Sequence, residues 1–108
     1  MIYELRIYTA VAGHLPDVIA RFRHHTLGIW ERHGIRPVGF WTTLVGADSN
    51  ELTYMLAWES LAEREAKWAA FTQDPEWGHA RQASESEGQI VARIASSLLV
   101  PTAFSALH

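Results

Sequence analysis

The chain has 108 residues, 48% of them hydrophobic and 19% charged, with a formal net charge of −3 and no cysteine. This is enough for one domain over residues 1–108 with a modest core, and it excludes disulfides and thiol chemistry. Lys67 is the single lysine and no basic patch is visible, so nucleic acid is not an expected partner.

No apolar run approaches the roughly 20 residues that span a bilayer, so no membrane association is expected. No charged-then-apolar signal region precedes the first strand, and the expected location is the cytoplasm. The large hydrophobic share needs somewhere to go, and a second copy of the chain is one place for it.

Residues 1–10, MIYELRIYTA, read as a strand with two faces, because strand side chains alternate. Tyr3, Leu5 and Ile7 make one face; Ile2, Glu4, Arg6 and Tyr8 make the other. Gly13 marks a turn. Leu15, Val18, Ile19, Phe22, Thr26 and Ile29 then recur at steps of three and four, the stripe of an amphipathic helix over about 15–33. Pro16 suits its first turn and Gly34 its end. Arg21, His24, Glu31 and Arg32 fall mostly off the stripe.

Residues 35–45 are rich in strand formers, with Gly39 marking a bulge or a close backbone contact. The cluster Gly46, Asp48, Ser49 and Asn50 forms a turn, and residues 52–58 return as a strand. Ser60 and Glu63 form a capping box for a helix from Leu61, with Leu61, Trp68 and Phe71 on one arc. Asp74-Pro75 opens a short helix through Trp77 and Ala80. Residues 84–88 read as a loop, 89–100 as the last strand, and Pro101 ends it. His14, His79 and His108 read as loop or terminal residues.

The order β-α-β-β-α-β is that of the ferredoxin-like fold, an α+β domain with a four-stranded antiparallel sheet and both helices on one face. The face carrying Glu4, Arg6 and Tyr8 is expected to be the bare one. Two such faces would pack together in a twofold homodimer.

The blocks YELRIYT near the start, VGFWTTLVG at 38–46, NELTYMLAW at 50–58, LAEREAKWAAFTQDPEW at 61–77 and PTAFS at 101–105 together resemble the NIPSNAP family. The resemblance covers nearly the whole chain in order. It implies the dimeric α+β barrel fold and a single-domain bacterial type of member. The family's longer animal members look like two such domains behind a mitochondrial targeting segment. Where relatives often carry charges in the last strand, this chain has Ala95, Ser97 and Val100, which implies a less polar barrel interior. The wider superfamily includes cofactor-free oxygenases, isomerases, haem-handling enzymes and plain binding proteins, and fold does not choose among them.

Candidate chemistry centres on the second face of the first strand. Glu4, Arg6, Tyr8, Trp41, Tyr54 and Trp58 are the expected lining of a pocket in the barrel. Glu4 and Arg6 are either a ligand-binding pair or a structural ion pair. Arg6, Glu4 and His25 are the catalytic candidates: Arg6 would steady an oxyanion, and Glu4 or His25 would move a proton. His24 and His25 diverge by about 100° on a helix, and no Cys, His, Asp and Glu spacing marks a metal site. No cofactor is expected, since no phosphate loop or dinucleotide fingerprint is present.

The expectation is a small-molecule-binding protein. The alternatives are a cofactor-independent oxygenase or isomerase acting on an enolisable or aromatic substrate, or a filled, non-catalytic interaction module. The sequence leaves open whether the chain is an enzyme.

Overall fold

Local signals in the sequence place each element. In the computed structural model, which describes residues 1–108, strand β1 is Ile2–Ala10. One helical run follows over residues 15–33 in three parts: α1 Leu15–Arg21, a π-helical turn Phe22–Thr26, and α2 Leu27–His33. Gly34 closes it in the left-handed region at φ 71°, where a glycine has no Cβ to clash. Then come β2 Arg36–Thr42, β3 Glu51–Trp58, α3 Leu61–Thr72, α4 Pro75–Ser84 and β4 Val91–Leu99.

The predicted caps are in place. The Glu63 N–H donates to Ser60 Oγ at 3.0 Å and the Glu76 N–H to Asp74 Oδ1 at 2.8 Å. His79 lies inside α4 rather than in a loop, because that helix runs two turns past Trp77.

The four strands pair antiparallel in the order β2-β3-β1-β4, the ferredoxin-like α+β arrangement. The β2–β3 register shifts between Pro37 and Gly39, the bulge expected at that glycine. A Cβ there would sit 2.9 Å from the Trp41 indole, so the bare glycine lets that ring fold back over the strand. β2 stops at Thr42, short of Val45, and Leu44 and Val45 project from the loop.

The helices cover one face of the sheet, and the core between them is aromatic. Trp30 sits at its centre, with the rings of Phe22, Phe40, Tyr54, Trp68 and Phe71 at 5.5–6.4 Å. Val18, Ile29, Leu56 and Trp58 complete the buried set. Full burial of each such side chain contributes about 1.5–3 kcal/mol.

The covered face is not the one expected. Glu4, Arg6 and Tyr8 pair across the sheet with Leu56, Tyr54 and Leu52, and all six lie beneath the helices. Tyr54 and Trp58 are fully buried there. Alternation separates the two faces of a strand but does not say which one the helices take. The larger residues decide it: Tyr8, Tyr54 and Trp58 fill the deep space under the helices.

The open face instead carries Tyr3, Leu5 and Ile7 of β1, with Met55 and Thr53 of β3, Ala95 and Ser97 of β4, and Trp41 of β2. Trp41 is therefore separated from the other five residues expected to line one pocket.

Candidate functional site

The candidate site lies between the covered face of β1 and β4 and the three helices α1, α3 and α4. It is a cavity of about 470 Å³, within the range of small-molecule sites. Arg6 and Tyr8 form its floor with Val91 and Ile94. Trp68, Phe71 and Thr72 come from α3, Trp77 and Arg81 from α4, Glu85 from just beyond it, and Arg21 from α1.

Glu4 anchors the floor. Its carboxylate is fully buried and accepts five hydrogen bonds from four side chains. Arg64 grips it with Nε at 2.7 Å and Nη2 at 3.1 Å, the bidentate fork that suits a carboxylate. Arg6 Nη1 donates at 3.0 Å, Trp58 Nε1 at 3.0 Å and Ser96 Oγ at 2.6 Å. Burial pushes the Glu4 pKa up, but the hydrogen bonds from Arg64, Ser96, Trp58 and Arg6 outweigh it and hold it down at about 2. Glu4 is an ionised structural centre with no capacity left to take a proton from a ligand. The Trp58 indole has thereby found the partner its burial demands.

Arg6 is held in turn. Its Nε donates to the Tyr54 hydroxyl at 2.7 Å, and the Trp68 ring lies 4.7 Å above the guanidinium. Burial pushes the Tyr54 phenol up, so it stays neutral, and its hydroxyl oxygen accepts the hydrogen bond from Arg6 Nε.

Arg21 is the residue that the helical stripe misplaced. It is 5% exposed, although periodicity puts it off the apolar face. The π-helical turn beginning at Phe22 adds a residue to the helical repeat, so both Arg21 and Phe22 are buried on the inner side. α4 then closes over it. The Trp77 ring is 5.2 Å from its guanidinium, and Nη1 donates to Ser84 Oγ at 3.2 Å. Its Nε is buried with no partner. Burial lowers its pKa, opposed by the Glu85 carboxylate 3.8 Å from Nη1.

His25 is not part of this constellation. It is exposed and lines a separate depression with Asp17, His24 and Ser84, beyond Arg21. The structure thus brings Glu4, Arg6, Tyr8, Tyr54 and Trp58 together and leaves His25 and Trp41 elsewhere. Sequence reasoning missed Arg21, Arg64 and Glu85. Arg64 did carry a signal: it sits on the same arc as Trp68 and Phe71, where a charge needs a buried partner. No group of three or more His, Asp or Glu is arranged to hold a metal, and no helix is long and apolar enough to cross a membrane.

The sheet order β2-β3-β1-β4 and the helices on one face define an α+β domain of the ferredoxin-like class. The family model NIPSNAP matches residues 3–106, and the chain belongs to the NIPSNAP family.

Solved relatives agree along the whole length. A NIPSNAP domain protein from Burkholderia xenovorans is 27% identical, with TM-score 0.84 over 97% of this chain and 98% of its own. A NIPSNAP family protein from Agrobacterium tumefaciens C58 is 22% identical, with TM-score 0.87 over 99% and 98%. A candidate antibiotic biosynthesis monooxygenase from Nitrosomonas europaea shares the fold at 7% identity, with TM-score 0.63 over 94% and 98%. No curated protein matches the chain.

Proposed function

We propose that this protein binds a small organic molecule in the cavity between its helices and its sheet, each chain holding its own site, and that it works as a homodimer. The cavity carries the reading: about 470 Å³, walled by Trp68, Phe71 and Trp77 and floored by Arg6. A filled interior would have favoured the interaction-module reading.

Binding is preferred to turnover because no histidine lines the cavity and its one carboxylate, Glu85, already faces Arg21 and Arg81, at 3.8 Å and 3.4 Å. The oxygenase or isomerase alternative keeps Arg6 as an oxyanion partner but loses Glu4 and His25 as proton movers.

The dimer rests on the open face. Leu5, Ile7 and Met55 are half-buried there, and Trp41 is 52% exposed. A second sheet packed on that face would remove this apolar surface from water.

A fragment screen read by tryptophan indole N–H signals tests the site. Binding should shift the Trp68 and Trp77 signals and leave Trp41 unmoved. Hits that shift Trp41 alone, or no hits at millimolar concentration, would remove the cavity from consideration.

A further inference from the structure

We propose that the cavity selects carboxylates on a planar apolar body, with the charged head on Arg21 and Arg6 and the body against the aromatic wall of Trp68, Phe71 and Trp77. This rests on the reading that the cavity is a small-molecule site, and it names the class of molecule.

The argument begins with charge. The cavity wall carries Arg6, Arg21 and Arg81 against Glu85 alone, since Arg93 turns its guanidinium to the Thr9 hydroxyl on the other face of the sheet. Glu4 does not correct this, because its carboxylate is shared between Arg6 and Arg64. A guanidinium removed from water needs a partner, and the cost of leaving it without one is large.

Arg6 has such partners in Glu4 and Tyr54. Arg21 is as deeply buried but has only the neutral Ser84 hydroxyl at 3.2 Å. The Glu85 carboxylate, at 3.8 Å, is beyond hydrogen-bond reach and also faces Arg81.

Nη1 of Arg21 is taken by Ser84, and its Nε is buried without a partner. Arg21 therefore stands in the cavity wall with no anion at hydrogen-bond distance, a guanidinium that a ligand carboxylate would complete as Glu4 completes that of Arg64.

The wall supplies the rest of the specificity. Trp68, Phe71 and Trp77 line the cavity as one aromatic row, with Phe71 at 5.3 Å and 4.9 Å from the other two between ring centroids. A planar apolar body gains from stacking there, whereas a flexible polar one does not.

Titration calorimetry at neutral pH with 2-naphthoate and its uncharged isostere 2-naphthamide tests this. The acid should bind the wild-type protein about tenfold or more tighter than the amide, the worth of one charge-assisted fork. In Arg21→Met the acid should fall to the affinity of the amide, and the amide should bind as before. A merely structural role for Arg21 would weaken both probes together and would overturn the assignment. Equal affinity of acid and amide for the wild-type protein would overturn the anion class while leaving a small-molecule site. That comparison needs no variant, so it stands even if Arg21→Met folds poorly. Binding of neither probe, with the Trp68 and Trp77 signals unmoved, would overturn this inference and the small-molecule reading together.

Discussion

The Glu4 carboxylate ties β1 to α3 through Arg64, to β3 through Trp58 and to β4 through Ser96. Glu4→Gln keeps the shape and removes the charge that two arginines share, so it should cost about 3–5 kcal/mol in urea unfolding. Acid should do the same reversibly. The folded pKa of Glu4, about 2, lies below its ordinary 4.5. Its stabilising contribution is therefore complete above about pH 4.5 and is lost as pH falls toward 2. The acid limb of the stability curve should flatten in Glu4→Gln. Arg21→Met should behave in the opposite way, neutral or stabilising in thermal unfolding, because it removes a buried cation whose nearest counter-ion, Glu85, stands at 3.8 Å and keeps Arg81 as its partner. At this scale the sequence showed that Glu4 and Arg6 share a strand face. It could not show which groups complete them, since Arg64 and Ser96 lie 60 and 92 residues away from Glu4.

Elements were easier to read than contacts, because capping and turn chemistry are local. Ser60, Asp74-Pro75, Gly34 and the Gly39 bulge all act as their residue types suggest. Ser60→Ala should cost about 1 kcal/mol, measured by chemical denaturation, with α3 fraying first in hydrogen exchange. The π-helical turn had no such signal. It depends on how two helical stretches meet the sheet, and its visible trace is the Thr26 hydroxyl donating to the Arg21 carbonyl at 3.4 Å. Deleting the exposed Arg23 would restore a regular helix and turn α1 by about 100° against α2. Val18 and Arg21 would then leave the core. The deletion should lower the melting temperature sharply, whereas Arg23→Ala should change stability by no more than about 0.5 kcal/mol.

Over the whole molecule, the order of elements was enough to give the topology, but not the side on which the helices sit. That choice emerges from volumes summed across strands far apart in sequence, and a single strand's alternation does not contain it. Its effect is to move the candidate site from between two sheets to beneath the helices of one chain. Ile7→Glu on the open face should then yield monomers in sedimentation at micromolar concentration, with naphthoate affinity retained. β1 runs down the middle of the sheet, bonded to β3 and β4. Of the four strands of this sheet it leaves the ribosome first and its neighbour β4 last. Pairings between such distant segments must bear the loop-closure entropy before they gain anything. Folding should therefore be slow for a chain of this size, and a nascent chain still lacking β4 should stay sensitive to protease.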